Sequence, residues 1–165
     1  VKLHLDDNVI TYSSDRISLS CGLVEGRFPN YERALPAEFQ RVYELPSEEL
    51  MAGLRQASLM TTKETNSVSF TFGAGALVLS AHASSVGESR VEFPVEVVEG
   101  GDEEFQINFN PGYILDLLKV LEELSLRVCF KDRKTAGLFT TKEKQGSYSH
   151  IIMPLVLEKG EATPQ

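Results

Sequence analysis

Cysteine, histidine and long apolar runs are scarce in this sequence. Its 165 residues include two cysteines, Cys21 and Cys129, which lie far apart in apolar surroundings without a CxxC partner. We therefore predict buried, reduced thiols, as is usual in the cytoplasm. The three histidines, His4, His82 and His150, fall on three different predicted strands, which is not the spacing of a metal site. No apolar run approaches the roughly 18 residues of a membrane span. We expect no metal, no cofactor and no membrane partner.

Positive charge is also in short supply. The chain carries 16 lysine and arginine residues against 24 aspartate and glutamate residues, which gives a net charge of −8. A protein that grips nucleic acid over its whole surface does so by neutralising phosphates, and this composition argues against that class. A local basic path within an otherwise acidic body stays compatible with it.

The usual patterns of an active site are missing as well. The adjacent acidic pairs at 6–7, 103–104 and 122–123 diverge on a strand or a helix instead of converging on one substrate atom. The stretch FGAGAL (72–77) is followed by a predicted strand, so we interpret it as a hairpin turn and not as a phosphate-binding loop. No serine is flanked as a nucleophile elbow requires. We predict a protein without catalytic residues.

Alternating apolar and polar residues run through most of the chain and predict half-buried antiparallel strands. Pro94 predicts an edge position or a bulge for its strand, because proline has no N–H to donate to a neighbour. The predicted strands are an N-terminal meander at 1–5, 8–12 and 16–24, followed by 41–45, 67–73, 76–83, 90–98, 104–109, 126–130, 137–141 and 148–153.

Two segments, 46–60 and 110–124, have helical periodicity instead. In the first, Ser47 is predicted as the N-cap, and the two glutamates that follow it suit the helix dipole. In the second, Asn110 is predicted as the N-cap and Pro111 as the first helical residue.

The two helices occupy equivalent places in an internal repeat. Raising the residue numbers of the first helix by 64 brings Leu50 onto Ile114 and Leu54 onto Leu118. Around each helix the order is strand, helix and three strands, so we interpret residues 40–157 as two copies of a β-α-β-β-β unit. The repeat predicts an α+β domain in which the two helices pack side by side on antiparallel sheets.

The same shift places Arg55 opposite Lys119. Each follows a predicted buried leucine by one position, so both are predicted to point away from the sheets. They are either a pair of phosphate contacts or two solvated charges. The neighbouring carboxylates of Asp116, Glu122 and Glu123 weaken the first interpretation.

The stretch LVEGRFPNYERALP (23–36) puts aromatic, basic and proline residues into one irregular connection. Together with LRQASLM (54–60), INFNPGYILDLLKVL (107–121) and HIIMPLVL (150–157), it resembles the bacterial sliding clamp family, the beta subunit of DNA polymerase III, in order and spacing. In that family the first stretch connects the second and third domains. The resemblance covers the chain except for the polar residues 158–165, which we expect to form a disordered tail.

The resemblance implies a DNA-clamp fold. It assigns residues 1–36 to the end of the second domain and the connector, and residues 37–157 to the third, C-terminal domain. Clamps of this family are homodimeric rings that encircle duplex DNA, with helices lining the hole, and they act as non-catalytic processivity factors. The expected partners are double-stranded DNA of any sequence and, through short linear motifs, the DNA polymerase III alpha subunit, the clamp loader and repair polymerases in the bacterial cytoplasm.

The resemblance also implies site residues. Arg55, Lys63 and Lys119 are implied as DNA-facing, and Ser58 and Leu59 as part of the ring interface between subunits. A hydrophobic peptide-binding pocket would combine residues of the connector with the C-terminal strand. Its implied members are Pro29, Arg33, Ala34, Met153, Pro154, Leu155 and Leu157.

Two other functions stay open on the sequence alone. One is a subunit of a nuclease or hydrolase whose active site lies in missing sequence. The other is a free-standing peptide-binding module that never encircles DNA.

Overall fold

The computed structural model describes residues 1–26, 30, 36, 38–61, 66–83, 87–101, 103–121, 124–141 and 148–156. Within these ranges each predicted helix and strand has a counterpart. In chain order they are β1 (Lys2–Leu5), β2 (Val9–Ser13), β3 (Ser18–Gly22), β4 (Arg41–Pro46), α1 (Ser47–Ser58), β5 (Val68–Gly73), β6 (Ala76–Ala83), β7 (Gly87–Pro94), β8 (Glu96–Glu99), β9 (Phe105–Phe109), α2 (Pro111–Val120), β10 (Ser125–Phe130), β11 (Gly137–Thr141) and β12 (Ser149–Ile152). The chain divides into two compact units, Val1–Tyr31 and Glu32–Gln165.

The first unit contains a three-stranded antiparallel sheet in the order β1-β2-β3, which confirms the predicted meander. Its register aligns Leu3, Tyr12 and Leu19 in one row across the strands. Because side chains alternate between the faces of a sheet, this row belongs to an apolar face. Cys21 lies on the same face and is exposed, as the leucines are. The prediction of a buried thiol is therefore wrong for Cys21, whereas Cys129 on β10 is buried as expected.

The second unit is built from two antiparallel sheets that exchange strands. One has the order β7-β6-β5-β9 and the other the order β12-β11-β10-β4-β8. The element order β4-α1-β5-β6-β7 is followed, after the short strand β8, by β9-α2-β10-β11-β12, so the predicted duplication of a β-α-β-β-β unit is confirmed. The first strand of each repeat lies in the other repeat's sheet, since β4 pairs with β10 and β9 pairs with β5.

Pro94 divides what was predicted as a single strand at 90–98. β7 ends at Pro94 and lies at the edge of the four-stranded sheet, whereas β8 begins at Glu96 and lies at the edge of the five-stranded sheet. Between them, the N–H of Val95 donates to the carbonyl of Gly75 at 2.9 Å. The predicted edge position is confirmed, and the single continuous strand is wrong because the chain changes sheets at this point.

The two helices begin differently. Asn110 caps α2 as predicted, because its Oδ1 accepts a hydrogen bond of 2.9 Å from the N–H of Gly112, and Pro111 is the first helical residue. The predicted cap at Ser47 is wrong, since Ser47 is already helical and Pro46 holds the N-cap position without a side-chain hydrogen bond. The cause is that β4 stays paired through Pro46, where it faces Ser125, so the chain enters the helix directly from the strand.

The core of the second unit encloses the inner faces of the helices and sheets. The residues that the repeat aligns, Leu50 with Ile114 and Leu54 with Leu118, are all buried. The two helices contact each other, and α1 also contacts β4, β5, β6 and β7. The buried side of the helix pair thus faces the sheets, and the opposite side is exposed and available to contact other molecules.

Candidate functional site

The exposed side of the helix pair is the first candidate surface. Arg55 lies in the last turn of α1 and is exposed, whereas the preceding Leu54 is fully buried. A cation in this position is favoured by the helix dipole. Arg55 forms no ion pair with any residue that the structure describes. Its guanidinium is therefore free to contact an external anion.

Lys119 takes the equivalent position on α2 but is already paired. Its Nζ lies 2.8 Å from Oδ1 of Asp116, one turn earlier, and both side chains are exposed. The sequence predicted that Asp116 weakens the case for Lys119 as a phosphate contact, and the structure shows that the two side chains are in direct contact. Exposed pairs of this kind contribute only about 0–1 kcal/mol, so Lys119 can exchange Asp116 for a phosphate at little cost. Lys63, the third predicted DNA-facing cation, lies outside the described residues, as do Glu122 and Glu123.

The end of α1 carries the two residues predicted for the ring interface. Leu59 follows the last helical residue and is 74% exposed. Ser58 turns inward, since its hydroxyl donates a hydrogen bond of 2.5 Å to the carbonyl of Leu54. Leu59 is thus available to a partner surface, while the Ser58 hydroxyl is satisfied within its own helix.

The run after β12 contains the predicted pocket residues of the C-terminal strand. Met153 is 62% exposed, Leu155 is half-buried and Pro154 is buried. The N–H of Leu155 donates to the carbonyl of Asn108 at 2.8 Å, which holds this run beside β9. Met153 and Leu155 therefore offer apolar surface, whereas Pro154 packs inward. The remaining predicted pocket residues, Pro29, Arg33, Ala34 and Leu157, lie outside the described part of the chain, so the complete pocket stays a prediction.

A cavity of about 320 Å³ opens beside the same run. We call it the basic groove. Arg133 and Lys134 supply its charge, and sequence reasoning did not include either of them in a site. The available signal was the run KDRK at 131–134, which puts three cations into one turn between two predicted strands. The groove is lined by Gln106, Asn108, Arg133, Lys134, Leu155 and Val156, with Ile107 beneath.

Asp132 shapes the turn that carries these cations. Its Oδ1 accepts hydrogen bonds from the N–H of Lys134 at 2.7 Å and from the N–H of Thr135 at 2.8 Å. The same two bonds hold the pKa of Asp132 below its usual value. The Asp132 carboxylate therefore fixes the backbone of the turn. The two cations at the groove, Arg133 and Lys134, are exposed.

Two further observations concern metal binding and membrane crossing. Within the described residues, no group of three or more histidine, cysteine, aspartate or glutamate side chains is placed to hold a metal ion. Neither of the two helices in that part of the chain has the length and apolarity to cross a membrane.

Comparison with known proteins places this chain in a family. The family described as the DNA polymerase III beta subunit, C-terminal domain, matches residues 32–156. The beta sliding clamp of Chlamydia pneumoniae is 31% identical over 155 residues, which cover 94% of this chain and 41% of that protein. The beta sliding clamp of Haemophilus influenzae is 30% identical over 157 residues, covering 95% and 39%. The chain spans about two-fifths of the length of these relatives.

Solved structures agree on the fold. The DNA polymerase III subunit beta from Pseudomonas aeruginosa has a TM-score of 0.83 at 22% identity, over 94% of this chain and 42% of that one. The DNA polymerase III beta subunit from Thermotoga maritima has a TM-score of 0.80 at 24% identity, over 94% and 41%. The predicted α+β clamp fold is thereby confirmed.

Proposed function

The chain belongs to the family of the DNA polymerase III beta subunit, C-terminal domain, and we propose that it forms part of a ring-shaped sliding clamp. Such a ring encircles duplex DNA and tethers the replicative polymerase and other replication and repair proteins to it. Because the chain spans about two-fifths of its relatives' length, the other clamp domains are proposed to come from sequence outside it.

The observation that carries the proposal is the helix pair at equivalent positions of the two repeats. Its buried side packs on the sheets, and its exposed side carries Arg55 and Lys119. A ring is retained by encirclement, so it needs only weak phosphate contacts without base readout. Dense positive charge would bind phosphates tightly and slow sliding, which makes a net charge of −8 compatible with this function.

The remaining surfaces fit roles in assembly and recruitment. The exposed Leu59 at the end of α1 is proposed to contact the first domain of a second subunit, with Ser58 beside it. Met153 and Leu155, with the connector residues Pro29 and Arg33, are proposed to form the pocket for short linear motifs of the polymerase alpha subunit, the clamp loader and repair polymerases. An apolar cleft with a cation at its rim suits an extended peptide with aliphatic or aromatic anchors.

We further propose that the protein is an accessory subunit without catalytic activity of its own, and that it acts as a homodimer on DNA in the bacterial cytoplasm. The family relationship supports both statements.

A topological experiment tests the clamp function. Protein of the relatives' full length that contains this chain is loaded onto nicked circular DNA by a clamp loader, and retention is followed by gel filtration before and after the circle is cut. We expect retention on the circle and loss from the linear product. Equal rates of loss from both templates would contradict the proposal, and metal-dependent DNA cleavage abolished by one carboxylate substitution would favour the nuclease alternative.

A further inference from the structure

We propose that the basic groove selects docking peptides that carry acidic residues next to their apolar anchor. The inference rests on the proposed peptide-docking function and names the chemistry of the preferred partner. The groove is the part of this surface where apolar and cationic side chains adjoin each other.

The two halves of the groove differ in chemistry. Leu155 and Val156 supply apolar surface, whereas Arg133 and Lys134 supply two positive charges at the rim. Neither cation forms an ion pair with a residue that the structure describes. An occupant that satisfies both halves needs an apolar side chain and a carboxylate a few residues apart.

The cations are held in place by the backbone of their turn. Asp132 fixes that turn through its bonds to the N–H groups of Lys134 and Thr135. A charge on an ordered turn loses less conformational entropy on binding than a charge on a mobile segment. The turn therefore holds the two positive charges in place before a peptide binds.

The adjacent edge of β9 suits an extended occupant. The carbonyl of Asn108 points away from β5, because it accepts the N–H of Leu155. Backbone groups of alternate residues in a strand point to the same edge, so those of Gln106 share this direction. Among the strands that the structure describes, β9 pairs only with β5. Because Leu155 already occupies the carbonyl of Asn108, a peptide strand can add to this edge at Gln106 through main-chain hydrogen bonds, with side chains entering the groove.

The combination of charged and apolar surface favours a peptide over two other anionic occupants, duplex DNA and the chain's own C-terminal residues. Duplex DNA would use Arg133 and Lys134 but leave the apolar half of the groove empty. The chain's own residues 158–165, EKGEATPQ, include Glu158 and Glu161 but no large apolar side chain. Both occupants would satisfy only one half of the groove.

The test compares two synthetic peptides that share the core Gln-Ala-Ala-Leu-Ala-Phe. One has Asp-Asp on both flanks and the other has Asn-Asn on both flanks, and binding to the full chain is measured by ¹⁵N-resolved chemical-shift titration. At low salt we expect the acidic peptide to bind about five-fold more tightly, since two rim charges contribute modestly and are screened by salt. In the Arg133→Ala/Lys134→Ala double variant the ratio of affinities should fall to near one. Lys131→Ala, on the same turn but outside the groove, should keep the wild-type ratio.

Each outcome has a defined meaning. Equal affinities of the two peptides in the wild type would overturn the acidic preference while leaving peptide docking intact. If neither peptide binds, also in protein of the relatives' full length, the docking function itself fails. A preference that emerges only after residues 158–165 are deleted would identify the tail as the occupant and overturn the inference. Displacement of the acidic peptide by a duplex oligonucleotide, lost in the double variant, would assign the groove to DNA instead.

Discussion

Glu44 and Arg127 form an ion pair across the boundary between the two repeats. Glu44 lies on β4 of the first repeat and Arg127 on β10 of the second, directly opposite each other in the sheet, with Oε1 and Nη2 2.5 Å apart. Glu44 is buried, and Nε of Arg127 is buried without a partner among the described residues. Water therefore has little access to Glu44, while the Arg127 side chain is 20% exposed.

We predict that Glu44→Leu lowers the free energy of unfolding by about 3 kcal/mol, because it leaves the guanidinium of Arg127, which is only partly exposed, without its carboxylate partner. Urea denaturation followed by circular dichroism measures the change. The double variant Glu44→Leu/Arg127→Leu should recover most of the loss, since it removes the remaining charge as well. A double variant that is destabilised by the sum of the two single changes would show that the two side chains act independently.

We predict that Arg55→Glu weakens binding to duplex DNA and lowers the slope of log affinity against log salt by about one, the value for one lost phosphate contact. Asp116→Asn should strengthen binding slightly, because it releases Lys119 from its ion pair. Both effects are measured by fluorescence anisotropy over a salt series. Arg90→Glu, which alters an exposed cation on β7 and not on the helices, is the control. An equal loss in the Arg90 variant would move the DNA contact away from the helix pair.

We predict that Met153→Asp lowers affinity for a Gln-Ala-Ala-Leu-Ala-Phe peptide at least about ten-fold, because a carboxylate at an apolar contact must be desolvated without a partner. Met153 is exposed, so its substitution should leave the unfolding free energy nearly unchanged. The measurement is isothermal titration with protein of the relatives' full length. Leu124→Asp changes an apolar residue that is still more exposed than Met153 and lies away from the C-terminal run, and this variant should retain binding. Unchanged affinity in the Met153 variant would remove this residue from the pocket.

We predict a contribution of His150 to stability that depends on pH. Burial lowers the pKa of His150 below its usual value of 6.5, so the unfolded chain binds more protons between the two pKa values. The contribution is complete above about pH 6.5 and is lost as the pH falls through the folded-state pKa. The unfolding free energy between pH 7 and pH 5.5 should therefore fall less steeply in His150→Gln than in the wild type. Equal slopes in the wild type and in His150→Gln would contradict the prediction.

Local patterns accounted for the elements and for the duplication. Alternation located the strands, and the equivalent faces of Leu50 and Ile114 revealed the repeat, because both signals depend only on neighbours within a few residues. The exchange of β4 and β9 between sheets was not predicted, since pairing between distant strands leaves no local trace. Ser47 was misplaced for the same reason: strand pairing at Pro46 overrides the local capping preference.

The site was predicted less completely than the fold. Family resemblance pointed to Arg55, Leu59 and Met153, which the structure leaves exposed. It also included Pro154, which is buried. The groove cations Arg133 and Lys134 were passed over, because their proximity to Leu155 arises only when the C-terminal run lies beside β9. From the sequence alone, Arg133 and Lys134 are expected to be solvated charges in a turn.

The exchange of first strands has a consequence for how the chain folds. Neither repeat holds all the strands of its own sheet, so neither is an independent foldon. A cut between β8 and β9 would leave one half without the edge strand β9 and the other half without β4 and β8. Pairing β4 with β10 requires contacts such as the one between Glu44 and Arg127, which are 83 residues apart. Such contacts raise the contact order and slow folding. The duplicated sequence therefore forms one cooperative unit, and separately expressed halves should be active only through mutual complementation.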